Sequence, residues 1–254
     1  DEDSLFEDRA GMFGKSLHRD SRPAAVILQE ALDIAKQSDV IVAALGESAE
    51  MSGESSSRSN ISIPKAQQDL LKALVQTGKP VVLVLFTGRP LALKWENDNV
   101  PAILNVWFGG SEAGYAIADV LFGDVNPSGK LSTTFPQNVG QVPIYYAHKN
   151  TGRPLAEGKW FEKFRSNYLD VSNEPVYPFG YGLSYTSFSY SDIKLSNTSL
   201  KGNQTLTATV SVTNTGSYDG KEVVQLYIRD VVGSVTRPVK ELKGFQKIAI
   251  KAGE

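Results

Sequence analysis

The feature that most constrains the fold is a regular alternation of helix-like and strand-like segments in the first half of the chain. Apolar residues recur at helical spacing over 23–38 and 64–80, and each run begins with a proline. Between and after them lie three continuous apolar runs, at 39–46, 80–86 and 101–108, which are typical of strands buried on both faces. Strands that alternate with helices form parallel sheets. We therefore predict an α/β sandwich with flavodoxin-like layering.

The pattern changes after a further helix predicted over 111–122. Residues 123–188 are rich in Gly, Pro, Asn and aromatic residues and show no sustained period, which is typical of a functional or wrapping segment. From about residue 189, alternating apolar residues in TLTATVSVTN and KEVVQLYIRDV predict all-β structure. Because 189–254 is shorter than the ~100 residues of a typical β-sandwich, the sequence predicts an incomplete sandwich there.

Composition excludes several classes of function. The net charge is −2 and basic residues form no stripe, so neither a nucleic acid nor a membrane is expected as a partner. The chain has no cysteine, which excludes disulfides, thiolate metal sites and cysteine nucleophiles. Only His18 and His148 could serve a histidine metal centre or a hydrolytic triad. We expect no metal and no cofactor. The acidic N-terminus is unlike a signal peptide, so any export signal is expected outside this sequence.

One acidic residue stands out in the segment SGESSSRSNISIP, residues 52–64. Glu54 lies between a predicted strand end and a predicted helix start, on what reads as a flexible arm of small polar residues. The carboxyl ends of parallel strands are where such sheets bind their ligands. A general acid must be accessible to substrate, and this position allows it. From the residues alone, two interpretations stay open: a solvated loop carboxylate and a catalytic acid.

Other candidate motifs are weaker. The stretch GGSEAG lacks the second glycine of a nucleophile elbow, and GDVNPSGKL has the wrong spacing for a phosphate loop. His148 is interpreted as a loop residue. The tryptophans are interpreted as packing residues, with Trp160, in a charged loop, as the best candidate for a sugar platform.

Eight stretches together resemble the C-terminal part of a glycoside hydrolase family 3 β-glucosidase of the bacterial periplasmic type. They are SDVIVAALGE (38–47), GESSSRSNISIPKAQQDLLKAL (53–74), GKPVVLVLFTGRPLAL (78–93), WFGGSEAGYAIADVLFGDVNPSGKLSTTFP (107–136), NTGRP (150–154), YPFGYGLSYTSF (177–188), VTNTG (212–216) and RPVKELKGF (237–245).

The resemblance implies a retaining β-glucosidase built from a (β/α)₈ barrel, an α/β sandwich and a fibronectin type III-like domain. In that family an Asp on the barrel is the nucleophile and a Glu on a loop of the α/β domain is the acid/base. Here ESSSR places Glu54 at the acid/base position and Arg58 at the position of the family's arginine, with Ser55 and Ser57 replacing Gly and Asp. Ser56, Arg58 and Trp160 are candidate substrate-binding residues.

The resemblance also implies a division of the chain. We expect an α/β sandwich domain over 1–135 that lacks its first strand, an extended aromatic-rich segment over 136–188 packed on it, and a truncated fibronectin type III-like domain over 189–254. No barrel is present in these residues, so the nucleophile is expected on a barrel domain of the same parent protein, and the chain alone is expected to be inactive.

The remaining expectations concern setting and specificity. β-Glucosides or oligosaccharides are the expected substrates, the location is expected to be periplasmic or secreted, and a homodimer is a further expectation. Two alternatives stay open: a β-xylosidase or other exo-glycosidase specificity, and a non-catalytic carbohydrate-binding or domain-packing module.

Overall fold

A computed structural model of the chain describes residues 20–156 and 158–254, so His18 and the acidic N-terminus lie outside the described residues. Contacts divide the chain into two compact units that interleave along the sequence. The described part of the first unit comprises 20–112, Thr133–Tyr145 and Thr151–Pro178, and the second comprises Ala113–Ser132, Tyr146–Asn150 and Phe179–Glu254. The predicted domain boundaries, which are consecutive, stay a prediction.

The first unit is an α/β structure, as predicted. Its helices are α1 (Ala24–Gln37), α2 (Lys65–Gln76) and α3 (Lys94–Asn99), its strands are β1 (Ile41–Gly46), β2 (Val81–Phe86) and β3 (Ala102–Asn105), and short 3₁₀ turns lie at Ala49–Met51 and Val139–Gln141. The strands form a parallel sheet in the order β1-β2-β3, with Ile41 opposite Val81 and Val82 opposite Ala102.

Helix α2 shows how the sequence builds this unit. Pro64 precedes the helix with a polyproline-like φ of −51° and ψ of 140°. The chain leaves the helix at Gly78, whose φ of 76° is the left-handed geometry that glycine adopts readily. Leu71 and Leu74 lie three residues apart and are buried, as is Leu83 of β2. Each fully buried side chain of this size contributes roughly 1.5–3 kcal/mol by removing apolar surface from water. The apolar face of α2 therefore anchors the helix that follows the Glu54 segment.

The expectation that all three strands are buried on both faces was wrong for β1. Ile41 and Ala43 are buried, but Val42 between them is 53% exposed. Successive side chains of a strand point to opposite faces, and β1 is an edge strand contacted by α2. Among the described residues, therefore, only one face of β1 is covered. Strand β3 is also shorter than predicted and only partly buried.

The second unit contains helix α4 (Ala113–Phe122) and antiparallel strands, consistent with the predicted fibronectin type III-like part. The strands are β4 (Phe188–Tyr190), β5 (Lys194–Leu195), β6 (Ala208–Thr209), β7 (Val212–Asn214), β8 (Gly220–Ile228) and β9 (Glu241–Ile250). They pair as β4 with β7, β5 with β6 and β8 with β9. In this unit the Tyr185 hydroxyl donates to the Val120 carbonyl of α4 at 2.7 Å. No helix among the described residues is long and apolar enough to cross a membrane.

Candidate active site

Glu54 lies on a short exposed turn beyond the carboxyl end of β1. The chain passes from β1 through the 3₁₀ turn that ends at the buried Met51, and it becomes buried again at Ser56. Between these points Gly53 has a φ of 104° and Ser55 a φ of 57°. This left-handed backbone turns the chain sharply around Glu54. We call residues 51–56 the Glu54 arm; its ends are buried and its middle, including Glu54, is exposed.

One arginine holds both ends of the Glu54 arm. Arg89 follows β2, and its Nη2 donates to the Met51 carbonyl and, at 2.8 Å, to the Ser56 carbonyl. A guanidinium is a rigid fork of donors, so two carbonyls bound to it are held at a defined separation. The sequence indicated a flexible arm of small residues. The structure adds anchors on either side of Glu54 that the local sequence did not reveal.

Arg89 is itself held by a buried carboxylate, Glu47, the residue directly after β1. The Glu47 side chain is 0% exposed, and its Oε1 lies 2.8 Å from Nη1 of Arg58 and 2.9 Å from Nε of Arg89. The first contact is a hydrogen bond, whereas the second is an ion pair without hydrogen-bond geometry. Oε2 accepts from the Thr87 hydroxyl at 2.9 Å and from the Gly88 N–H at 3.2 Å. We call Glu47, Arg58 and Arg89 the ionic cluster.

Two glycines allow this close assembly. Gly46 has a φ of 138°, and a Cβ there would lie 1.8 Å from the Phe86 carbonyl oxygen. A Cβ on Gly88 would lie 1.9 Å from the Ser52 hydroxyl of the Glu54 arm. Both contacts are far shorter than van der Waals distance, so glycine allows β1 to approach the backbone of β2 at Gly46 and allows the Ser52 side chain to pack on the backbone at Gly88. The Gln67 side chain adds hydrogen bonds to the N–H and carbonyl of Gly46, at 2.6 and 2.9 Å.

The candidate substrate-binding residues have different settings. Ser56 is buried and its hydroxyl donates to the Glu54 carbonyl at 3.1 Å. Arg58 is in the ionic cluster, and its Nη2 also donates to the Ser62 carbonyl at 3.3 Å. Trp160 is 55% exposed, with its ring tilted against that of Phe161 at 6.2 Å. Ser56 thus forms one end of the Glu54 arm, Arg58 is bound to the ionic cluster just after the arm, and no hydrogen bond or ring contact of Trp160 with either is seen among the described residues. A role in substrate binding stays a prediction for all three.

Sequence reasoning missed Glu47 and Arg89 as members of the site. A signal existed: both residues come within a few positions of the ends of neighbouring parallel strands, β1 and β2, and such ends meet at one edge of the sheet. His148, in the second unit, is exposed, with its Nδ1 3.3 Å from the Lys149 carbonyl. Among the described residues, no group of three or more acidic or histidine side chains could hold a metal ion.

Comparison with known proteins agrees with this architecture. The model of the glycosyl hydrolase family 3 C-terminal domain matches residues 13–185, and that of a fibronectin type III-like domain matches 222–254. A periplasmic beta-glucosidase of Salmonella typhimurium is 53% identical over 252 residues, which are 99% of this chain and 33% of that protein. A beta-xylosidase of Formosa agariphila is 46% identical over 89% of this chain and 30% of its own length.

Solved structures lead to the same group of proteins. The beta-glucosidase from Listeria innocua in complex with isofagomine superposes with a TM-score of 0.88 at 44% identity, covering 94% of this chain and 33% of that one. The same enzyme in complex with glucose superposes with a TM-score of 0.86. The chain therefore spans about a third of the length of these relatives.

Proposed function

Because the chain belongs to glycosyl hydrolase family 3, we propose that it supplies the acid/base of a retaining, exo-acting β-glucosidase. The substrates would be terminal β-D-glucosyl residues of oligosaccharides or glucosides. The observation that carries this proposal is the placement of Glu54: an exposed carboxylate on an arm anchored at both ends, at the carboxyl edge of a parallel sheet. An exposed carboxylate on an anchored arm is accessible to a substrate and held in a defined place, and both are needed for general acid catalysis.

The proposed reaction is a double displacement. Glu54 protonates the glycosidic oxygen while a carboxylate nucleophile attacks the anomeric carbon, which releases the aglycone and leaves a glycosyl–enzyme ester. Glu54 then removes a proton from a water molecule as that water attacks the anomeric carbon. The bond to the nucleophile breaks, glucose is released, the nucleophile returns to its carboxylate form and Glu54 is again protonated. We assign the nucleophile to an Asp on a barrel domain of the same parent protein, outside residues 1–254. The two carboxyl groups of a retaining enzyme stand about 5–5.5 Å apart.

The test of this proposal is replacement of Glu54 by Ala in the complete gene product. Without a proton donor, hydrolysis of substrates with poor leaving groups should slow by about 10²–10⁴-fold. The leaving group of 2,4-dinitrophenyl β-glucoside needs no protonation. The kcat/KM of this substrate, which reports the glycosylation step, should therefore fall far less. Azide fits the space left by the carboxylate, so it should accelerate release of the sugar and yield β-glucosyl azide.

The matched control is Glu30→Ala. Glu30 is an exposed glutamate on α1 whose surface ion pair with Arg22 spans 2.8 Å, and such pairs contribute little. Its replacement should leave the rates on all substrates unchanged. Undiminished turnover of a poor-leaving-group glucoside by the Glu54→Ala enzyme, with no effect of azide, would refute the assignment of Glu54.

A second specificity follows from one relative. The Formosa agariphila protein that is 46% identical is named a beta-xylosidase, so a β-xylosidase activity is the alternative. A comparison of kcat/KM on p-nitrophenyl β-glucoside and p-nitrophenyl β-xyloside distinguishes the two.

The name of the Salmonella typhimurium relative supports a periplasmic location. We also propose a homodimer, and light scattering of the complete gene product tests it.

A further inference from the structure

We propose that Glu47 is a positioning residue: it holds Arg58 and Arg89 in the orientation that keeps the Glu54 arm in place for acid/base chemistry. This inference rests on the proposed function and deepens it, because it names a residue that acts on the catalytic step without contacting the substrate. It depends on three features of the first unit: the burial of the carboxylate, the second contacts made by each arginine, and the position of those contacts along the arm.

The burial of the ionic cluster is not explained by stability alone. The Glu47 side chain is fully buried, and those of Arg58 and Arg89 are 11% and 20% exposed. Removing such charges from water is costly, and well-packed apolar residues of similar volume are often as stable as a buried ion pair or more so. An ionic cluster does, however, impose a defined geometry, because every charge must meet its partner. The observed arrangement therefore suits a site where orientation matters.

Each arginine of the ionic cluster also binds the backbone around Glu54. Arg89 donates to the carbonyls of Met51 and Ser56, at the two ends of the arm. Arg58 donates to the carbonyl of Ser62, further along the segment that leads into α2. These acceptors lie on both sides of Glu54 in the sequence. An error in the position of the Arg89 guanidinium is therefore transmitted to the turn that carries the carboxylate, whereas Arg58 fixes the segment that follows this turn.

The carboxylate also ties the cluster to the frame of the sheet. Its Oε2 accepts from Thr87 and Gly88, which directly follow β2, while the residue itself directly follows β1. Glu47 thus fixes the arginines relative to two strand ends that are hydrogen-bonded to each other. Loss of its charge would leave both guanidiniums without their anionic partner. The arm would then be attached to side chains that are no longer oriented by the sheet.

The discriminating variant is Glu47→Gln in the complete gene product, which keeps the side-chain volume and removes the charge. A misplacement of a catalytic group by about 1 Å can cost 10²-fold. We expect kcat/KM for aryl glucosides with poor leaving groups to fall by up to about 100-fold, and kcat/KM for 2,4-dinitrophenyl β-glucoside to fall little. The logarithm of kcat/KM should therefore depend more steeply on leaving-group pKa than in the unaltered enzyme.

Two further measurements connect this effect to Glu54. If Glu47 acts through Glu54, the double variant Glu47→Gln, Glu54→Ala should be no slower on poor leaving groups than Glu54→Ala alone. If Glu47→Gln does not fold, Arg89→Lys provides the same test. The lysine keeps the positive charge, but its single ammonium cannot reproduce the fork that bridges Glu47, Met51 and Ser56, so the steeper dependence should be seen again.

The matched control is Glu222→Gln in the second unit. Glu222 is also buried and ion-paired, with Lys130 at 3.2 Å, and it accepts from the Tyr190 hydroxyl at 2.9 Å. Its replacement should lower stability without changing the dependence on the leaving group. A uniform fall in kcat/KM for all leaving groups in Glu47→Gln, or in Arg89→Lys where that variant replaces it, would overturn the positioning role.

The two proposals fail in different ways. If kcat/KM of Glu54→Ala depends on the leaving group no more steeply than that of the unaltered enzyme, the proposed function fails and the positioning role fails with it. Only the positioning role fails if Glu54→Ala shows a steeper dependence on the leaving group and rescue by azide, while kcat/KM of Glu47→Gln, or of Arg89→Lys in its place, falls equally for all leaving groups.

Discussion

The two units each contain a buried polar residue that connects several backbone segments, but one residue is charged and the other is neutral. In the first unit Glu47 joins two arginines, Thr87 and Gly88. In the second unit Asn214 is 0% exposed and uses both ends of its amide. Its Nδ2 donates to the carbonyls of Tyr218 and Ile250, at 2.8 and 3.1 Å, and its Oδ1 accepts from the Thr186 hydroxyl at 2.6 Å.

The difference shows two ways of joining loops in a protein interior. An amide presents donors and acceptors together, so Asn214 can satisfy neutral backbone groups without burying a charge. An ionised carboxylate only accepts, and when it is buried in the charged form it must bring its own counter-charges. The carboxylate with two arginine partners is found beside the proposed acid/base. The second unit joins its turns and strand ends through the amide of Asn214, and among the described residues its buried Glu222 has a single cationic partner, Lys130. Departures from the simplest stable packing are expected at functional sites.

The first prediction, Asn214→Ala, tests whether the buried amide of the second unit has a purely structural role. The change leaves several buried donors and acceptors without a partner, each costing about 1–3 kcal/mol. We expect a loss of about 3 kcal/mol in the free energy of unfolding, measured by urea denaturation, with specific activity of the folded complete protein unchanged. Asn203→Ala, at an exposed asparagine, is the control and should have little effect. A change in leaving-group dependence on replacing Asn214 would contradict a purely structural role.

A second prediction tests whether the packing against the Glu54 arm affects activity. In Gly88→Ala the new methyl group would lie 1.9 Å from the Ser52 hydroxyl and 2.7 Å from the Ser52 Cβ. Rotation of the hydroxyl relieves the first contact but not the second, so the arm must shift. We expect kcat/KM on poor leaving groups to fall about tenfold, comparable to the 1–3 kcal/mol that overpacking costs. Gly110→Ala, where a Cβ meets nothing within 4 Å, is the control. Equal kinetics for the two variants would show that the arm tolerates displacement.

The smallest effect concerns a second buried glutamate of the first unit, Glu96, which is 2% exposed. Burial raises the pKa of the Glu96 carboxyl above 4.5, opposed more weakly by a hydrogen bond from its own backbone N–H and by the charge of Lys72. A raised pKa in the folded state means that the protonated group stabilises the fold at low pH and that this contribution is lost as the pH rises through the raised value.

Replacement of Glu96 by Gln should therefore alter how stability depends on pH. The difference in unfolding free energy between Glu96→Gln and the unaltered chain should shift in favour of Gln as the pH rises from below 4.5 past the raised pKa. Urea denaturation at a series of pH values measures this shift, with Glu30→Gln as the exposed control. A difference that does not vary with pH would show that Glu96 titrates as it does in the unfolded chain.

Much of the fold was predictable from local patterns. The continuous apolar runs became β1, β2 and β3, and the helical spacing after Pro64 became α2. Periodicity could not reveal which faces would be covered, so the exposure of Val42 was missed. Coverage depends on where helices pack, which is a property of the assembled sheet rather than of any strand.

The candidate site was predictable only where its residues lie close together in the sequence. Glu54 could be found because its arm follows a strand and matches a family pattern, and Arg58 lies close to it in sequence. Arg89 could not be found in this way, since it reaches the Glu54 arm only because β2 pairs with β1.

The sequence by itself determined the class of fold, the parallel order of strands and helices, and the position of Glu54 beyond a strand end, because these follow from periods and neighbours along the chain. Only the tertiary structure decided that Glu47 would be buried between two arginines and that Arg89 would anchor both ends of the Glu54 arm. Apart from the Glu47–Arg58 pair, these contacts join residues more than 30 positions apart, and they form only when the hydrogen bonds between neighbouring strands bring their carboxyl ends to one edge of the sheet.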